Sequence, residues 1–211
     1  MIYFIQLDMR YAYLLAVISI LFSSFSSQAN GQGQFVDASV GIRPDSPFFI
    51  IERLREKVDL LLTFDKKDKV EKSFATTEQR LAEAEAMLTF KNEQESDNSV
   101  KRYESQLLRT RDYLQKAEAG GIDVKETKRF QSEKTVRFLQ MLKNIEGRMS
   151  ERNKKDVVKA ISTTEDYFKL VSKVLDSAGL TELLTKLELK TPNIEETLPT
   201  SFLPEVKKYI K

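Results

Sequence analysis

Residues 66–91 read KKDKVEKSFATTEQRLAEAEAMLTFK, and Val70, Phe74, Thr77, Leu81, Ala84 and Leu88 recur in them at intervals of 4-3-4-3-4. A spacing that alternates between three and four keeps returning to one side of a 3.6-residue helix. The segment therefore predicts a helix with a single buried stripe, the seam by which helices pack at a shallow angle. Asp65 stands just ahead of it and offers a side-chain oxygen to the unpaired amides of the first turn. The rest of the chain is expected to supply the partners of that stripe.

Two more segments carry the same spacing. After a polar break over Asn92 to Ser99, a helix resumes with Val100, Tyr103, Leu107, Thr110, Leu114 and Ala117, and Gly120-Gly121 closes it with a left-handed cap. A later helix carries Val157, Ile161, Thr164, Phe168, Val171 and Leu175 and ends before Gly179. Between them, Asp123 and Glu126 open a helix in the manner of a capping box. Its stripe is Phe130, Phe138, Leu142, Ile145 and Met149, and Ser150 to Lys155 is a polar joint. Tyr103, Tyr113, Tyr167 and Phe168 read as core, with the tyrosine hydroxyls reaching its edge.

Upstream, Ser46 is placed to cap a helix with Pro47 at its first position, running to about Leu62. This helix is unusually apolar, and the natural reading is that the other helices cover it, since their one-sided stripes need a partner. The alternative is an open surface for a protein partner or a membrane, formed by Phe48, Phe49 and Ile51 with Arg53 and Arg55 beside them. The fold class is all-α. It is an antiparallel bundle of four long helices plus an apolar N-terminal helix, with a short C-terminal helix and tail.

Residues 1–29 read as a signal peptide. A short n-region ends at Arg10, Tyr11 to Phe22 is an apolar run of 12 residues, and Ser27 and Ala29 suit a cleavage site before Asn30. The run is short for a membrane span, and an uncleaved anchor is the second reading. Residues 30–40 form a linker, 41–179 the helical domain, and 180–211 a short helix with Leu180, Leu183, Leu184 and Leu187 followed by a proline-bearing tail.

Composition narrows the chemistry. The 211 residues contain no histidine and no cysteine. Serine–histidine and cysteine–histidine catalysis are thereby excluded, and so are disulfides. A net charge of +2 is too small for a dedicated nucleic-acid binder. Charge is distributed unevenly, with net −4 over residues 78–97 and net +5 over residues 125–156. These read as solvated faces attracting one another across the bundle, the basic one offering the alternative of an anionic polymer or lipid head group. The acids Glu78, Glu83, Glu85, Glu93, Glu95 and Asp97 are expected on a surface rather than in a catalytic pocket. No cofactor or metal is expected.

Gly41-Ile42-Arg43-Pro44-Asp45-Ser46-Pro47-Phe48-Phe49, then Leu62-Thr63-Phe64-Asp65, then Gln79-Arg80-Leu81-Ala82-Glu83-Ala84-Glu85-Ala86 resemble a family known as domain of unknown function 5667. The likeness extends over about residues 41–175. It implies an extracytoplasmic helical domain in exported or membrane-attached proteins, some similar to anti-sigma regulators, and it implies no activity. The expectation is a non-enzymatic protein-binding, sensor or scaffold domain of the cell envelope. The alternative is a carboxylate-only enzyme acting on an envelope polymer.

Overall fold

The computed structural model describes residues 42–175 and Gly179. The expected leader at 1–29, the expected linker at 30–40 and the segment at 180–211 lie outside the described residues. Among the described residues the helices are, in order, α1 (Phe49–Leu62), α2 (Lys66–Thr89), α3 (Glu93–Ala119), α4 (Lys125–Arg148) and α5 (Lys154–Ser172). Among the described residues there is no strand, and no helix is long and apolar enough to cross a membrane.

Local chemistry sets the ends of these helices. Asp65 accepts the Asp68 amide at 2.9 Å and starts α2 where expected. Gly121, at φ 75°, closes α3, and the Ile122 amide reaches back to the Ala117 carbonyl. The turn after α2 uses the same geometry with a lysine, Lys91 at φ 60°, although a β-carbon makes that conformation costly. Two boundaries differ from expectation. The supposed polar break is already helix, because Asn92 accepts the Glu95 amide at 3.1 Å and caps α3 at Glu93. Ser46 does accept the Phe48 amide at 3.3 Å, but regular helix begins only at Phe49.

α2 and α3 form one antiparallel hairpin, and α4 and α5 form a second. The hairpins stack in the same sense. Glu71 meets Thr127 and Glu78 meets Lys134, so α2 and α4 run parallel. Lys101 meets Asp156 and Glu104 meets Thr163, so α3 and α5 do too. The short link over residues 120–124 therefore crosses the end of the bundle diagonally between α3 and α4.

The core follows the stripes. Val70, Phe74, Leu81, Ala84, Leu107, Leu114, Leu142, Ile145, Val157 and Val171 are buried. Phe74 sits at the centre, stacked on Phe138 at 5.3 Å and on Tyr167 at 6.2 Å. The threonines in the stripes are buried but not orphaned. Thr77, Thr110 and Thr164 each donate to the carbonyl four residues back, and Ser73 pairs with Thr110 at 2.7 Å across the α2–α3 seam. Small polar side chains there let the two backbones approach: the Ser96 hydroxyl reaches the Ala84 carbonyl at 2.7 Å.

Phe130 departs from its assigned place. It is 55% exposed, and Gln131 takes the buried position instead, accepting the Tyr167 hydroxyl at 2.8 Å. Tyr113 is half-buried at the margin of the core, but the hydroxyls of Tyr103 and Tyr167 do not reach its edge. Tyr103 and Tyr167 are buried through their tips, and Tyr103 bonds Thr164 at 2.8 Å. That satisfies their polar ends without water, and burial holds both phenols above their ordinary pKa.

Candidate functional site

α1 is turned over relative to an ordinary surface helix. Its outer side carries Ile50, Leu54, Val58, Leu61 and Leu62, all exposed, and Ile50 is 75% exposed. The other side, which rests on α2, carries Glu52, Arg53 and Glu56 around Phe49. The expectation that the other helices cover α1 is thereby overturned. Among the described residues, α2 is its main contact and only Phe49 of α1 is buried. The reason lies beneath it, where α2 and α3 present charge. An apolar α1 face would strand those groups without water or partners.

The junction is a clasp of guanidinium and carboxylate. Arg80 on α2 is 3% exposed and bonds both Glu83, one turn along, and Glu56 from α1. Arg102 on α3 bonds Glu95 and Ser99, both at 2.6 Å. The guanidinium carbons of Arg53, Arg80 and Arg102 stand 5.8, 5.6 and 5.2 Å from the centre of the Phe49 ring. A ring face tolerates a cation where a methyl would not, so one phenylalanine fills the middle of a charged junction. The chain ahead of α1 is pinned to the same place. The Ile42 amide donates to Glu52 at 2.9 Å, and Arg43 lies over the Phe90 ring at 4.7 Å.

Burial raises the Glu83 carboxyl to about 7, against the pull of Arg80 and Arg102. Burial likewise lowers Arg80, while Glu83 opposes that shift. Glu83 was expected on a solvated face, as was Asp97, and both are buried. Arginine three residues earlier accounts for Glu83, and Lys101 one turn later for Asp97, at 2.7 Å. The acidic and basic segments meet across the bundle at Glu78–Lys134, 2.8 Å. Glu83, Glu95 and Asp97 are neutralised within α2 and α3.

Beside this clasp a cleft of about 270 Å³ opens between α1 and α3, floored by α2. Arg53, Lys57, Arg80, Lys101, Arg102 and Arg109 line it, with Glu56 the one carboxylate on its wall. Its floor is buried at Arg80 and its rim exposed at Lys57, Lys101 and Arg109. Among the described residues, no group of histidine, cysteine, aspartate or glutamate is arranged to hold a metal ion.

Of the residues proposed from sequence for a partner or membrane surface, Phe48 is exposed just ahead of α1, and Ile51 and Arg55 are exposed on it. Phe49 and Arg53 belong instead to the inner side, with the clasp and the cleft. Arg80, Arg102 and Arg109 were not singled out as a site. Their convergence depends on α2 and α3 lying antiparallel, which periodicity along a single helix does not reveal.

A helical bundle with a charged junction under an inverted apolar arm defines the class. The chain belongs to the family described as domain of unknown function 5667, whose model matches residues 41–152, more than half its length. The match takes in α1 to α4 and stops before α5. No curated protein and no solved structure matches the chain. The segments that carry the resemblance meet in space: Phe49 from the first packs under Arg80 from the last.

Proposed function

We propose that this protein is a non-enzymatic docking module of the cell envelope, working outside the cytoplasm and holding a protein partner on the outer side of α1. The observation that carries this reading is the inverted helix. A row of large apolar side chains faces away from the bundle, while the charged side of the same helix faces in. Water contact with that row is unfavourable by roughly 25 cal/mol for each Å² left uncovered, which favours a covering surface. α1 carries three acids and three bases, so it has no net charge to draw it to an anionic bilayer. A protein surface suits it better. The leader and the setting implied by the family support the compartment.

The absence of catalysis is part of the proposal. Glu83 is the carboxyl whose acidity is most clearly displaced, but it is fully buried and bonded to Arg80. That geometry suits a structural ion pair better than a general acid, which must reach its substrate.

Two measurements test the reading. A reporter active only after export, fused behind residue 40, should be active, and an inactive fusion would remove the compartment. A photo-crosslinking side chain at Leu54 should give one discrete adduct in envelope preparations. The same side chain at the exposed Gln115 of α3 should not, and Leu61→Asp should abolish the Leu54 adduct. No adduct at Leu54, or equal adducts at both positions, defeats the docking role.

A further inference from the structure

We infer that the cleft between α1 and α3 is a binding site for a phosphate-class oxyanion, whether a free phosphate or the head group of a lipid. The inference stands apart from the docking reading, since the cleft lies on the opposite side of α1. Six cationic side chains and one carboxylate line it. Arg80, Lys101 and Arg102 have carboxylate partners. Arg53, Lys57 and Arg109 are the remaining three, and among the described residues none of them is in an ion pair.

The unpaired three approach from two helices, Arg53 and Lys57 from α1 and Arg109 from α3. Burial, first, and then the charges of Arg102 and Arg109 act against the Arg53 guanidinium, and Glu83 offsets them only in part. The Arg102 Nε is shielded from solvent and has no hydrogen-bond partner. An anion with several oxygens, seated between α1 and α3, would neutralise Arg53 and Arg109 together.

Size favours the same class. A volume of about 270 Å³ lies just under the usual range for drug-sized ligands and suits one or two phosphate groups, with room for a substituent to leave through the open rim. Because the cations come from α1 and α3, a bound oxyanion would tie α1 to the bundle.

Inorganic pyrophosphate titrated into the full chain provides the test, with potassium chloride at matched ionic strength as the control. Pyrophosphate should raise the melting midpoint beyond the chloride control. Arg53→Gln and Arg109→Gln should each weaken its binding roughly tenfold, the effect of one charge-assisted hydrogen bond. Neither residue is in an ion pair, so neither change removes a salt bridge that holds the fold. A midpoint shift no larger than with chloride overturns the site, and so does undiminished binding by both variants.

Vesicles of phosphatidylcholine with and without phosphatidic acid separate the two sources. Flotation that requires phosphatidic acid and is competed by pyrophosphate assigns a lipid head group. Pyrophosphate binding without flotation assigns a soluble phosphate. Flotation that pyrophosphate and the two substitutions leave unchanged places the contact elsewhere and counts against the cleft.

Discussion

Single residues decide what the α1 junction tolerates, and Glu83 is the most informative of them. Its carboxyl is pushed up to about 7 from an ordinary value of 4.5, so the folded chain holds this proton more tightly than the unfolded chain. Between those values the native state binds more protons, and stability falls as the pH rises through the window. A glutamine keeps the hydrogen-bonding shape without the charge. Relative to the parent, Glu83→Gln should therefore gain stability from about pH 4.5 to about pH 8, by up to about 3 kcal/mol. Denaturant melts of both chains across that range check it, and a difference that does not change with pH refutes it. Sequence alone gave no sign of this behaviour. Glu83 is expected on a surface from its helix alone, and it is the packing around Arg80 and Glu56 that buries it.

At the scale of the element, α1 is held by few contacts. Phe49 is its one buried side chain, Arg80 grips Glu56, and Asp59 meets Lys72 at 3.0 Å nearer the C-terminal end. The last is solvent-exposed and adds little. Phe49→Ala empties the middle of the guanidinium cluster. Its cost should fall on α1 alone, because the helix can lift away before the bundle opens. Amide exchange over residues 49–62 should quicken at least about tenfold, while protection in α2 to α5 stays within a factor of about two. Equal loss of protection in all the helices would falsify the picture of a separately docked arm. The apolar character of α1 was plain from its residues, but which side would face out was not. A helix with charge and apolar side chains on opposite sides can lie either way, and the surface beneath it chooses.

Among the described residues, the helices α2 to α5 share one core centred on Phe74. That ring joins α2 to Phe138 of α4 and Tyr167 of α5. Phe74→Ala should therefore cost about 3–5 kcal/mol globally, the range for a large aromatic removed from a packed core. Helix content and tyrosine fluorescence should be lost together in a single transition, since neither hairpin keeps its face covered without the other. Two separated transitions would mean that the hairpins fold independently, against the shared core.

By itself the sequence determined the all-α class, the four stripes, the Asp65 cap and the Gly121 stop. Each of these is settled within a few residues, by helical period, a side-chain oxygen or a positive φ. Where α3 begins was also local, in Asn92 and Glu95, but a polar stretch hid the cap. Tertiary structure alone decided three things: the parallel stacking of the hairpins, the exchange of Phe130 for Gln131, and the inward turn of the α1 charges. Each depends on residues tens of positions apart meeting across helices. The cleft and its cations arise from that meeting, because Arg53, Arg80 and Arg109 become neighbours only when α1 lies across α2 beside α3.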